Sequence, residues 1–89
     1  MANKITFEIV SGERCRLSII NNSDNSTCTT EYQLTVYDTD DQRWENHAVG
    51  SVTLGPGDSW SEEFHKWRAN GWKHQILSNN CEEENNNNK

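Results

Sequence analysis

The sequence predicts a small all-β sandwich of about six or seven strands, and three observations carry that prediction. Apolar and polar residues alternate over several short runs, most clearly at Ile5, Phe7, Ile9 and at Tyr32, Leu34, Val36, the pattern of strands with one buried face. Clusters of turn-forming residues separate the runs at short intervals: Ser11-Gly12-Glu13, Asn21-Asn22, Gly55-Pro56-Gly57-Asp58 and Asn70-Gly71. The segment Glu31–Trp60 then organises the chain, with a strand, a long acidic loop, a second strand and a Pro-Gly turn in which Pro presets φ and Gly accepts positive φ.

Taken in order, residues 3–10 and 14–20 form two strands joined by the Gly12 turn, with Cys15, Leu17 and Ile19 on the inner face of the second. Asn21–Thr30 is polar throughout, and two readings stand side by side. It is one long loop, or Asn21-Asn22 is a two-residue turn with residues 23–27 returning as a weak strand. The hairpin would set Cys15 across from Cys28 in a non-hydrogen-bonded pair, a geometry that admits a disulfide. That pairing leaves Cys81 free or bridged to another chain, and the alternative is three reduced thiols. Next comes the Tyr32–Val36 strand, then the acidic loop Asp38–His47, which is too long for a tight hairpin and is expected to cross between sheets or to carry a site.

Residues 59–69 are ambiguous. Ser59 and Glu62 make a capping box, and Trp60, Phe64 and Trp67 form a helical stripe. The same residues read as a strand alternating Trp60, Glu62, Phe64 and turning back at Asn70-Gly71. The β reading agrees with the rest of the chain, and an α+β fold with a short helix at 59–69 is the alternative. Residues 72–78 complete the strands. Residues 1–80 make one domain, and residues 81–89 read as a disordered acidic, Asn-rich tail because nothing after Cys81 is apolar.

The formal net charge is −6, and without the tail's three Glu and one Lys there remain 11 acidic against 7 basic residues, or −4. Scattered cations in an acidic domain argue against nucleic acid and anionic membranes as partners. No apolar run reaches the ~18 residues of a membrane helix. The start lacks the apolar core of a secretory signal, so a native Met1 implies the cytoplasm and a removed signal implies secretion. Asn21-Asn22-Ser23 and Asn25-Ser26-Thr27 match the glycosylation acceptor pattern but read as polar turns.

Four tryptophans are the main compositional oddity. Trp60, Trp67 and Trp72 are assigned to a core short of aliphatic residues. Trp44 sits beside Arg43 and Glu45 in the acidic loop and is the leading contact residue. Asp38, Asp40 and Asp41 share that loop but lack the spacing of a calcium loop, with Arg43 where a Gly is needed. His47, His65, His74 and Cys81 form no paired zinc spacing. No metal site, cofactor, phosphate loop or catalytic constellation is expected, and the protein reads as a non-enzyme.

Residues 15–81 resemble the small secreted β-sandwich inhibitors of α-amylase in the pair Cys15 and Cys28, the strand TEYQLTVYD, the acidic turn, the strand reaching a Pro-Gly turn and the last strand ending at Cys81. Those inhibitors carry a Trp-Arg-Tyr triplet where this chain has Asn21-Asn22, so inhibition of amylase does not carry over. Immunoglobulin-like sandwiches share the strand, Pro-Gly-Asp-Ser, strand pattern. The functional expectation is a small acidic module that engages or inhibits a partner protein through loops 21–29 and 38–47, using Trp44, Arg43, Asp38, Asp40, Asp41, Asn22 and Asp24. Carbohydrate binding by exposed Trp and assembly through sheet edges are the alternatives.

Overall fold

A computed structural model describes residues 4–83, which form six strands: β1 (Lys4–Ser11), β2 (Arg14–Ile20), β3 (Ser26–Asp38), β4 (Arg43–Leu54), β5 (Ser59–His65) and β6 (Ala69–Glu83). They make two antiparallel three-stranded sheets, sheet A in the order β1-β2-β5 and sheet B in the order β4-β3-β6. The sheets face each other as a small β-sandwich, as the alternating pattern predicts. Among the described residues no helix is long and apolar enough to cross a membrane.

The two central strands supply the core. Cys15, Leu17 and Ile19 of β2 meet Tyr32, Leu34 and Val36 of β3, and Trp72 and Leu54 close the layer. Leu17, Ile19, Leu34 and Val36 are fully enclosed, each contributing about 1.5–3 kcal/mol of apolar burial. Tyr32 lies over its register partner Gly50, and a Cβ there would fall 2.6 Å from the ring's Cζ. The same ring meets Trp60 and Phe64 of sheet A at centroid distances of 5.5 and 6.3 Å.

Residues 59–65 are strand, not helix. Trp60 and Phe64 sit opposite Ile19 and Cys15, so both enter the core with the period of a strand. Core contact outweighs the local capping signals, and Trp67 falls outside the apolar layer altogether.

The Asn21-Asn22 hairpin does not form. Both sides of β2 are already paired, by β1 and β5, so no return strand can lie on it. Asn21 instead makes the corner by which the chain passes to sheet B. Its fully buried side-chain amide donates to the carbonyls of Ser26 (2.8 Å) and Leu54 (2.9 Å), and its Oδ1 accepts from the Ser23 N–H (2.9 Å) and hydroxyl (2.8 Å). Its backbone N–H donates to the Asp58 carbonyl (2.9 Å) and its carbonyl accepts from the Gly57 N–H (3.0 Å). One residue thereby joins the β2–β3 crossover to the Pro-Gly turn between β4 and β5.

The candidate Cys15–Cys28 disulfide falls with that hairpin. Cys15 is the second residue of β2, between Ile9 and Phe64 of its neighbours, and is a buried free thiol. Cys28 lies beyond the crossover, opposite Cys81 on β6, and bonds to it. The domain accordingly extends past residue 80. β6 pairs with Ser26, Thr27 and Cys28 through Glu83, Glu82 and Cys81, and the remainder of the expected tail, residues 84–89, lies outside the described residues.

The acidic loop is also shorter than expected and crosses nothing. The β3–β4 connection is a hairpin turn over residues 39–42, closed by the Gln42 N–H donating to the Asp38 carbonyl at 2.7 Å. Asp38 makes the tight turn feasible because its Oδ1 accepts the N–H of Asp40 (2.8 Å) and of Asp41 (3.4 Å). Gln42 takes φ 55°. Residues 43–47 are the first residues of β4.

Candidate functional site: the three-turn tip

Three turns converge at one end of the sandwich: Gly12-Glu13 between β1 and β2, residues 39–42 between β3 and β4, and Lys66-Trp67-Arg68 between β5 and β6. Asp38 is the register partner of both Arg43 and Ala69, which places the last two turns over the end of β3. Backbone hydrogen bonds lock the turns together. Lys66 N–H donates to the Glu13 carbonyl (3.0 Å) and Thr39 N–H to the Arg68 carbonyl (3.2 Å). The Trp72 indole N–H, buried beneath, donates to the Gly12 carbonyl at 3.2 Å.

The β5–β6 turn is the most constrained of the three. Ala69 N–H donates to the Lys66 carbonyl at 3.2 Å, making Trp67 and Arg68 the two central residues. Arg68 has φ 64°, a left-handed conformation that costs a non-Gly residue about 1 kcal/mol or more. Neighbouring turns hold it there. The Arg68 N–H donates to Glu13 Oε2 (3.1 Å), its carbonyl accepts the Thr39 hydroxyl (2.7 Å), and its guanidinium donates to Asp40 (3.3 Å). Trp67 is directed away from the core and is 65% exposed.

Trp44 lies just below, at the start of β4. It is 42% exposed, but its surroundings are built around it. The ring meets Tyr37 edge-on at 5.5 Å, Lys73 Nζ sits 4.1 Å above its centroid, and its Cη2 reaches Gly71 on β6. Gly71 suits this on two counts, since its φ is 144° and a Cβ would stand 3.3 Å from the indole. Lys73 already occupies one face of the ring, a cation–π contact. Arg43 pairs with Glu45 at 3.4 Å along the same strand.

Below the turns, Asp38 is buried and faces Lys66 Nζ at 3.6 Å. The Asp40 N–H holds its carboxyl below the ordinary range; the Asp41 N–H and Lys66 add to this against the opposing effect of burial. Its oxygens, with those of Asp41 and Glu45, lie within 4.8 Å of one another. Asp38 is already satisfied by two N–H groups and Lys66, so this cluster carries no metal assignment. His47 is the extra residue where β4 loses register with β3. It wedges between the sheets, edge-on to Trp72 (5.3 Å) and Phe64 (6.4 Å). Burial lowers its pKa first, and nearby Lys66 adds to the effect. In the core, burial pushes the Cys15 thiol up to about 11, which leaves it an inert thiol at neutral pH.

The structure thus separates the residues expected to act together. Trp44, Arg43, Asp38, Asp40 and Asp41 belong to the tip. Asn22 and Asp24 are exposed at the β2–β3 crossover, at the other end of β3. Twelve residue steps along that strand, at about 3.4 Å each, put the two groups roughly 40 Å apart. Loops 21–29 and 38–47 therefore stand at opposite ends of β3. Asp38 is interior scaffolding, whereas Trp67, assigned to the core from a helical stripe, is the most exposed tryptophan. Its setting between Lys66 and Arg68, just before Asn70-Gly71, is a turn context and was the signal for exposure.

The described residues enclose no pocket. No family model, curated protein or solved structure matches the chain, and the resemblance to amylase inhibitors therefore gains no support beyond the shared all-β architecture.

Proposed function

We propose that this protein is a non-enzymatic binding module that engages a partner protein through the three-turn tip, with Trp67 as the anchor and Trp44 and Arg43 at its margin. The observation that carries the reading is the presentation of Trp67. A large aromatic side chain is held in solvent on a left-handed turn, and residues from two other turns fix that turn. Leaving Trp67 in water forgoes its burial energy, and strain of this kind concentrates at working sites. Rigid aromatic residues flanked by arginine are the usual energetic centres of protein interfaces. Carbohydrate binding is the second reading, with Trp67 as the stacking residue because Lys73 covers one face of Trp44.

The test is partner capture from source lysate by immobilised protein, followed by mass spectrometry and measured affinities for the captured partner. Trp67→Ala is expected to weaken binding about 30-fold or more, the loss typical of an interface centre. Asn22→Ala and Asp24→Ala, at the far end, are expected to leave it unchanged. Full retention by Trp67→Ala would remove the tip from the mechanism. Glycan-array binding that disappears in Trp67→Ala would replace the protein partner with a carbohydrate.

A further inference from the structure

Among the described residues both sheets end in open edges, and three of the four edge strands carry features that oppose pairing with another chain. β4 has the extra residue His47 in mid-strand, and β6 loses register with β3 twice, near Tyr32 and near Val36. β5 places a charged residue, Glu62, opposite Leu17 on the core side of the sheet. Bulges and inward-pointing charges are established means of protecting an edge.

β1 has neither along most of its length. Its one irregularity is at the end, between Ile9 and Ser11, and residues 4–9 run in unbroken register with Ile20 to Cys15. Its core-side positions, Ile5, Phe7 and Ile9, are all apolar, and Ile9 is 55% exposed.

We propose that β1 is a self-association edge, on which β1 of a second copy of this chain lies antiparallel about a two-fold axis through Thr6. The sequence of the strand is complementary to itself in that register. Lys4 faces the partner's Glu8, Thr6 faces the partner's Thr6, and Glu8 faces the partner's Lys4, all on the solvent side. Ile5 faces the partner's Phe7, and Phe7 the partner's Ile5, on the core side. Opposite charges, paired threonines and apolar pairs are each favourable across antiparallel strands. Glu8 Oε1 accepts from the Arg16 guanidinium at 3.0 Å, which leaves Oε2 for the partner's Lys4. A slip of two residues sets Lys4 against apolar Val10 and Glu8 against Thr6, losing both charge pairs. A slip of one residue turns every side chain to the wrong face. The paired molecule has one continuous sheet, β5-β2-β1 joined to its two-fold mate, and an isologous contact that closes at two copies.

Sedimentation equilibrium of the full chain at low ionic strength tests it, using wild type, K4E, E8K and an equimolar mixture of the two variants. Wild type is expected to show a reversible monomer–dimer equilibrium that weakens with added salt. K4E and E8K each turn both facing pairs into like charges, and each is expected to dimerise about tenfold more weakly or worse. In the mixture both facing pairs are again opposite in sign, so association returns as a heterodimer. E8K also loses its contact with Arg16, so far-UV circular dichroism and a melting curve accompany each variant. K4E breaks no ion pair among the described residues, and K4E with the salt series decides the matter if E8K is unfolded. A wild type that stays monomeric, a K4E that dimerises as wild type does, or a mixture of folded variants that associates no better than its components overturns the proposal.

Discussion

Asn21→Ala is expected to be among the most damaging substitutions in this protein, although it alters a small polar residue in a segment that reads as a loop. The side chain makes four hydrogen bonds in a fully enclosed site: two donated to the carbonyls of Ser26 and Leu54, two accepted from Ser23. Each net bond is worth about 0.5–1.5 kcal/mol, and a buried group left without a partner costs about 1–3 kcal/mol. The Ser23 hydroxyl also lies 2.9 Å from the Ser26 carbonyl and can recover that acceptor once Asn21 Oδ1 is gone. The Ser23 N–H and the side of the Leu54 carbonyl that Asn21 occupied lose their partner in a closed site, so the expected loss is about 2–3 kcal/mol. A domain of this length has roughly 4–13 kcal/mol in total. Urea unfolding followed by tryptophan fluorescence reads the loss as a lower midpoint at unchanged slope. Asn21→Asp separates shape from bonding, because it keeps the volume and the acceptor but points an oxygen at two carbonyls. It is expected to be at least as damaging as Asn21→Ala. Asn22→Ala, next in the chain and exposed, is expected to stay within about 0.5 kcal/mol of wild type. A loss below about 1 kcal/mol for Asn21→Ala would refute the assignment of Asn21 as the corner that joins the sheets.

Other perturbations test other parts of the structure. Gly71→Ala is expected to cost about 1–3 kcal/mol in the same assay, because it combines a strained φ with displacement of the Trp44 indole, and to change the Trp44 emission. Gly50→Ala is expected to be worse, since its Cβ would enter the Tyr32 ring, which already packs against Trp60 and Phe64. Reducing Cys28–Cys81, which are separated by 53 residues, removes about 4 kcal/mol on the chain-entropy account; a melting temperature unchanged by reductant would contradict the pairing. For acid, the sign follows from two lowered pKa values. Asp38 and His47 are both depressed in the folded state, so each contributes stability that is present above its unfolded value and lost as pH falls through its folded value. Stability is therefore expected to decline first below about pH 6.5 through His47 and again below about pH 4 through Asp38. His47→Phe should remove the upper step, and Asp38→Asn should remove the lower one at the cost of a less stable β3–β4 turn.

Local pattern was sufficient wherever one face of a strand is buried. Ile5/Phe7, Cys15/Leu17/Ile19, Tyr32/Leu34/Val36 and Val52/Leu54 all stand where the alternation of apolar and polar residues puts them, because the period of a strand is a property of the backbone and needs no partner to be read. The Pro-Gly turn was legible for the same reason. Residues 59–65 were decided only by the core. Ser59 and Glu62 favour a helix locally, yet Trp60 and Phe64 meet the Tyr32 ring from a strand paired with β2.

The features that define the tip and the corner depended on contacts between distant parts of the chain. Cys28 pairs with Cys81 because β3 passes to the other sheet. That passage depends on Asn21 finding the carbonyl of Leu54 and the backbone of Gly57 and Asp58, which no local rule supplies. Trp67 is exposed because Glu13, Thr39 and Asp40, from two other turns, hold Arg68 in a left-handed conformation. By itself the sequence determined the class of fold, the strands with one clearly alternating face and the Pro-Gly turn, since these follow from periodicity and from which residues tolerate a turn. The tertiary structure alone decided which strands share a sheet, which cysteines bond and which tryptophan faces solvent, since each of these depends on hydrogen bonds and packing between residues far apart in sequence.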